Sequence, residues 1–384
     1  MQNFAFHNPT RIFFGRGQIS RLNEAVPVDS RVLLTYGGGS IKRNGVYDQV
    51  RQALAPRKVT EFGGIEPNPT YETLMRAVAQ AREEGEVFLL AVGGGSVIDG
   101  TKFIAAATHY QGDPWSIVTG EAAIPAALSL GTVLTLPATG SEANNYAVIS
   151  RRETHEKLSF GHPLLFPQFS ILDPEATLSL PQRQIGNGIV DAYTHVCEQY
   201  LTYPAAAPLQ DRMAEAVLRT LIEVGPVTYA APNDYDARAS LMWCATLALN
   251  GLLGAGVPQD WATHAIGHEL TALHGLDHGQ TLAIVLPALL FNRRFSKRAK
   301  LLQYAERVWE LRTGDEDTRI SGAIERTRAF FEALGVHTRL SAYGIAPDVA
   351  TTVARRLEVR GGTHLGERRE IGPREVEEIL LAAA

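Results

Sequence analysis

Cysteine is scarce. Cys197 and Cys244 are the only two in 384 residues, too few for a disulfide framework and in keeping with a reducing compartment. Long apolar runs are missing too: none approaches the ~20 residues that span a bilayer. The opening residues, MQNFAFHNPTRIFFGRG, lack a basic segment followed by an apolar one, so no secretory signal is expected and a cytoplasmic location is. No charge sign dominates. A formal net charge of -5 leaves no basic footprint for nucleic acid and no electrostatic reason to meet an anionic membrane. With 45% hydrophobic and 20% charged residues, the composition is not that of a disordered chain. The sequence therefore reads as a globular protein, long enough for two domains and acting on a small molecule.

The first 180 residues alternate short apolar runs with helical patterns. Strands are expected at 31–36, 59–62, 87–92, 132–136 and 170–172, with helices around 48–54 and over 71–84. Strand–helix alternation makes a parallel sheet. Continuous apolar strands such as VFLLAV need helices on both faces. Beyond Pro181 helical periodicity takes over, at 184–201, 210–225, 236–251, 260–274, 298–311, 318–334 and 373–383. The run 315–319 mixes charge signs and reads as a solvated loop. An α/β domain over 1–178 and an all-α domain over 179–384 are expected.

Two of the expected strands end alike, in Gly37-Gly38-Gly39-Ser40 and Gly93-Gly94-Gly95-Ser96. Backbone without Cβ atoms can approach a phosphate closely. Neither loop is a G-x-G-x-x-G or a Walker loop, and a tight strand-to-helix turn accounts for either one alone. Both in one sheet, with Asp99 and Lys102 behind the second, favour a ligand with spaced phosphates. The stretch 137–142, PATGSE, is a third candidate, since the Thr139 and Ser141 hydroxyls can donate to phosphate oxygens. Ligands of open α/β sheets sit at the carboxyl ends of strands, where all three loops fall.

Of eleven histidines, His264, His268, His274 and His278 crowd together. On another expected helix Asp191 and His195 stand i,i+4, on one face about 6 Å apart. That pair is a two-ligand bite for a divalent metal, which the histidine cluster can complete. Mixed imidazole and carboxylate donors suit zinc or ferrous iron alike. Lone histidines such as His7, His109 and His155 are read as core or surface residues instead. Glu198 falls near the face of Asp191 in a hydrogen-bonding role, and Cys197 points to another face, into the core.

The two GGGS loops, the Gly93-Gly94-Gly95-Ser96-x-x-Asp99 motif and the Asp191/His195/His264/His278 set resemble the iron-containing (group III) alcohol dehydrogenases. YGGGSIKRNGVYDQV, FGGIEPNPTYETL, LLAVGGGSVIDGTKFIAAA, LTLPATGSEAN and GAGVPQDWATHAIGHELTALHGLDHGQTLAI look like the branch of NADPH-dependent aldehyde reductases and butanol dehydrogenases. The resemblance makes 1–178 a dinucleotide-binding domain and 179–384 a metal-binding and substrate domain, often in a homodimer. It implies Gly94, Gly95, Ser96 and Asp99 at the cofactor pyrophosphate, with Gly38, Gly39 and Ser40 at the adenosine ribose and Asn68 nearby. Thr139 and Ser141 match phosphate and nicotinamide contacts, and Lys157 a lysine near the nicotinamide ribose. Asp191, His195, His264 and His278 match the metal ligands, and His268 a histidine beside the open coordination position. Two positions depart from the common pattern: Asp277 replaces a proline before the last ligand, and Gly186 an alanine.

The chemistry implied is reversible reduction of a small aldehyde to a primary alcohol, with one divalent metal (zinc or iron) and NADP(H). Such a metal polarises the carbonyl oxygen while the nicotinamide delivers hydride. NADPH is expected over NADH because the loop Tyr36–Arg43 carries no carboxylate to hold a ribose 2′-hydroxyl, while Ser40 and Lys42 or Arg43 can meet a 2′-phosphate. A cyclase like dehydroquinate synthase would need basic groups around the ligands, and the stretch 251–270 has no Lys or Arg. A metal hydrolase would leave the glycine loops without purpose. The apolar residues Phe4, Phe6 and Ile12–Phe14 are expected to pair across a twofold.

Overall fold

A computed structural model describes Met1–Ala384. Eight strands form: β1 (Arg11–Phe14), β2 (Val32–Tyr36), β3 (Val59–Phe62), β4 (Phe88–Gly94), β5 (Leu130–Leu136), β6 (Tyr146–Arg151), β7 (Glu156–Gly161) and β8 (Phe169–Leu172). Six make one sheet in the order β1-β8-β5-β4-β2-β3, parallel throughout. The remaining two, β6 and β7, pair as an antiparallel hairpin.

Alternate residues of the buried strands serve two cores. Val32, Leu34, Phe88, Leu90 and Val92 pack with Ile19, Leu22, Val46 and Val50 on one side. Leu33, Leu89 and Ala91 pack with Leu74, Val78, Ile98 and Phe103 on the other. A strand covered on both faces favours apolar side chains at every position, which is why VFLLAV is apolar throughout. Each such side chain contributes roughly 1.5–3 kcal/mol over an exposed one.

Chain contacts define two units. One holds His7–Pro181 and Pro232–Asn250; the other holds Gln182–Ala231, Gly251–Ala384 and Met1–Phe6. The helix Tyr235–Ala248, expected within 179–384, thus belongs to the sheet unit. Met242 joins the sheet core, and Thr246 Oγ1 donates to Glu142 Oε1 at 2.6 Å. The segment Ile12–Phe14 pairs within its own chain, Phe13 opposite Ile171, as the edge strand of the sheet. The run 315–319 is no loop: 316–319 form the first turn of the helix Glu316–Ala333, and the exposed Asp315 caps it by accepting the Thr318 amide at 2.8 Å.

In the second unit the helix Gln182–Tyr200 packs on Pro208–Ala230 and on His278–Asn292, which in turn packs on Ala262–His274. His278–Asn292 (HGQTLAIVLPALLFN) is apolar nearly all round and buried from Thr281 to Leu290, the pattern of a central helix. Its approach to Gln182–Tyr200 depends on Gly279, where a Cβ would stand 2.5 Å from the Asn187 carbonyl oxygen and 2.8 Å from its Cα. No helix of the protein is long and apolar enough to cross a membrane.

Candidate active site

Asp191 and His195 lie one turn apart on Gln182–Tyr200, with His195 Nε2 3.4 Å from Asp191 Oδ1. His264, in the first turn of Ala262–His274, brings its Nε2 to 3.9 Å from the same oxygen. That helix stops at Gly275 (φ 67°). The chain then returns to open the next helix at His278, whose Nε2 is 3.6 Å from Asp191 Oδ1. One ligand atom from each of the four residues lies within 4.8 Å of the others.

Asp191 Oδ1 and His264 Nε2 are buried without a hydrogen bond inside the protein. Leaving such atoms unmatched costs about 1–3 kcal/mol each, which a cation between them would offset. Donor atoms ~2.0–2.2 Å from a tetrahedral metal stand about 3.4 Å apart, so the spacing suits zinc or iron. The back of the His264 ring is held as well. Glu198 Oε2 hydrogen-bonds its Nδ1, and Oε1 accepts the Thr263 amide at 2.7 Å. Burial acts to lower the His264 pKa, but the Glu198 and Asp191 carboxylates carry it up to about 9. A bound cation would replace that proton on Nε2.

His268 stands beside this set and outside it, its ring centroid 6.2 Å from that of His264 and 5.4 Å from that of His278. On the other flank Trp261 lies edge-on to His264 at 5.4 Å and near His195 at 6.2 Å. Sequence reasoning missed Trp261; its place three residues before His264, at a helix start, was the available signal. Asp277 proves to be a capping residue: its amide donates to Gln280 Oε1 at 3.0 Å, and its carboxylate takes Asn187 Nδ2 at 2.7 Å and Arg183 Nη2 at 2.8 Å. Gly186 is explained by the Leu334 carbonyl oxygen, which occupies the place of a Cβ.

In the sheet unit the three loops leave the adjacent strands β2, β4 and β5. The second runs straight into the helix Gly95–Thr108, whose cap residue Gly94 puts no side chain over the first turn. Its amides, Ser96 included, remain available to an anion. Behind them Asp99 Oδ1 accepts from Ser141 Oγ at 2.6 Å and Oδ2 from the Val148 amide at 3.0 Å. Lys102 Nζ donates to Ser141 Oγ, Asn144 Oδ1 and the Tyr146 carbonyl at 2.8, 3.1 and 2.7 Å. Burial raises the Asp99 pKa and lowers that of Lys102 to about 8. The Ser141 hydroxyl thus faces inward, whereas Thr139, whose Oγ1 accepts the Ser141 amide at 3.2 Å, is half-buried at the loop. Lys157 Nζ donates to Asn68 Oδ1 at 2.8 Å, joining two residues far apart in the chain.

Beside the first loop stands one residue that sequence reasoning overlooked. Glu61, on β3, accepts from Tyr47, from Lys42 Nζ at 2.9 Å and from Tyr36 at 3.3 Å. Its carboxylate is filled and Lys42 is drawn to it. Arg43 stays at the loop, with Nη1 3.5 Å from the Gly39 carbonyl. Gly38 and Gly39 face open space, and Gly39 has φ 82°.

Two family models match the chain: iron-containing alcohol dehydrogenase over residues 9–174, and the C-terminal part of the Fe-containing alcohol dehydrogenase family over 186–384. The chain is 59% identical over 374 residues to the NADPH-dependent aldehyde reductase YqhD of Escherichia coli K12, covering 97% of each. It is 43% identical over 389 residues to the probable NADH-dependent butanol dehydrogenase 1 of Bacillus subtilis 168, covering 100% of each. The crystal structure of E. coli YqhD superimposes with a TM-score of 0.99 at 57% identity, over 100% of this chain and 99% of that one. The chain belongs to the iron-containing alcohol dehydrogenase family and is an oxidoreductase.

Proposed function

We propose that the protein reduces small aldehydes to primary alcohols with NADPH, using one divalent metal held by Asp191, His195, His264 and His278. The observation that carries this reading is the convergence of three imidazole Nε2 atoms on one buried carboxylate oxygen, in a chain that also carries three open loops at neighbouring strand ends. When bound, the metal supplies a Lewis acid for a carbonyl oxygen and the reduced nicotinamide supplies hydride. Zinc and iron both suit these donors.

The chain's own residues do the rest. Glu198 fixes the His264 ring with Nε2 turned toward Asp191. His268, beside His264 and His278, relays a proton through water to the product oxygen. Gly94, Gly95 and the Ser96 amide receive the pyrophosphate at the start of a helix, with Thr139 alongside. Asp99 and Ser141 hold that loop from behind, and the Asn68–Lys157 pair lies toward the nicotinamide ribose.

NADPH preference rests on the first loop. Gly38, Gly39 and Ser40 leave space for a 2′-phosphate, Arg43 offsets its charge, and the nearby carboxylate, Glu61, is occupied by its own partners. The test is kcat/KM with NADPH and NADH on a panel of linear aldehydes, followed at 340 nm. NADPH should be favoured at least tenfold, and Gly39→Asp should reduce its use by about 10- to 100-fold, ~1.4–2.7 kcal/mol. That is less than the ~4 kcal/mol repulsion of like charges ~4 Å apart near a surface. Equal use of both cofactors by the wild type refutes the preference; no aldehyde reduction with either refutes the function.

A further inference from the structure

Apart from the four-residue cluster there is a second buried charge group, centred on Lys297, which no sequence motif singled out. Lys297 precedes the helix Arg298–Arg307, and its side chain is 2% exposed. Its ammonium donates to Asp260 Oδ2, Glu367 Oε2 and the Leu201 carbonyl, all at 2.7 Å. A buried ammonium with three short bonds has no freedom to move, and its removal would strand two carboxylates that are 3% and 5% exposed.

The partners give the cluster its meaning. Leu201 directly follows the helix that carries Asp191 and His195, and its amide still donates to Cys197 O at 2.7 Å. Asp260 stands two residues before the helix that carries His264. Asp260 Oδ1 accepts the Ala262 amide at 3.0 Å, and its own amide donates to the Glu198 carbonyl at 2.8 Å. Lys297 therefore places its positive charge at the C-terminal end of one ligand-bearing helix and draws a carboxylate onto the N-terminal end of the other. Both placements complement the helix dipoles. The same contacts fix where the Ala262–His274 helix begins, and so where His264 stands relative to Asp191.

We propose that Lys297 is a positioning residue for the metal centre: a buried clamp joining the ends of the two helices that supply Asp191, His195 and His264. It touches neither metal nor substrate. The inference rests on the metal assignment made above, extending the support of the ligands beyond Glu198 to a residue that contacts none of them.

The test uses purified full-length protein freed of metal. Zn²⁺ affinity is read by competition with a chromophoric chelator, and the visible spectrum of the Co²⁺ form reports ligand geometry. Lys297→Met should weaken Zn²⁺ binding about 10- to 100-fold, the range for residues that orient ligands, and alter the Co²⁺ spectrum. NADPH binding by fluorescence should be unchanged, and Lys297→Arg should restore affinity to within about threefold of wild type. If Lys297→Met does not fold, Lys297→Met with Asp260→Asn and Glu367→Gln removes the stranded charges and should show the same loss. Wild-type affinity and spectrum in whichever variant folds overturns the clamp. Failure of the wild type to bind Zn²⁺, or wild-type binding by His264→Ala, overturns the metal assignment and the clamp with it.

Discussion

Polar groups buried without water are where single residues decide most in this chain. Asp191 Oδ1 and His264 Nε2 sit unmatched inside the helical unit, at a cost that a cation between them would offset. His264→Ala is expected to lose the metal and the activity together while keeping the fold, measured by metal content and circular dichroism. His268→Ala should keep the metal and lower kcat with an altered pH profile; metal loss as deep as in His264→Ala would make His268 a ligand instead. Lys102 poses the complementary case, an ammonium that is fully buried. Burial lowers its pKa from 10.5 to about 8, so the folded protein holds this proton less tightly than the unfolded chain. Its contribution to stability is therefore fully present above pH 10.5 and is lost as the pH falls through about 8. Between pH 8 and 10, wild type should gain on Lys102→Met by about 2 kcal/mol, read from urea midpoints of the two proteins. A gap that stays constant across that range would contradict the assignment.

Helices carry the ligands, so their spacing is a functional quantity. The helices Gln182–Tyr200 and His278–Asn292 meet at Asn187 and Gly279, where backbone lies against the missing Cβ. Backbone cannot swing aside as a side chain can. Gly279→Ala should push apart the helices bearing Asp191 and His278, lower the melting temperature and weaken metal binding at least tenfold, ~1.4 kcal/mol. Unchanged metal affinity in a folded Gly279→Ala protein would show that the approach is not needed. The sequence disclosed elements wherever their periodicity was clean. Val59–Phe62 and Tyr71–Glu84 form as read, because one is a short β-rich run and the other an amphipathic helix capped by Thr70. His278–Asn292 was not legible as a helix: it lacks a polar face and contains Pro287. The β6–β7 hairpin was hidden by the charged stretch 151–157, RRETHEK, which reads as a loop. Four residues of β1 gave too short a pattern to reveal a strand that pairs with β8, 158 positions later.

For the whole chain, chemistry and architecture divide the same way. All four residues of the metal set belong to the helical unit, and the three glycine and hydroxyl loops, with Asn68 and Lys157, belong to the sheet unit. That division was largely legible, because the sheet-forming texture stops near Pro181; the return of Pro232–Asn250 to the sheet unit was not, since a helix shows its period but not its partner. Asp191 and His195 were legible through i,i+4 spacing. The Glu61 trap on Lys42 and the Asn68–Lys157 pair were not, because they arise from segments that only the fold brings together. The division also sets an expectation for metal removal. The residues assigned to the cofactor and those assigned to the metal belong to different units, so chelator-treated protein should bind NADPH within about threefold of the loaded enzyme while losing aldehyde turnover. Zn²⁺ present at about 100 times its Kd should restore ~2.7 kcal/mol of stability by mass action, seen as a rise in melting temperature. Fluorescence titration with NADPH on stripped and reloaded protein decides the matter. A loss of NADPH affinity beyond tenfold on stripping would mean that the two sets of residues act as one site in the free enzyme.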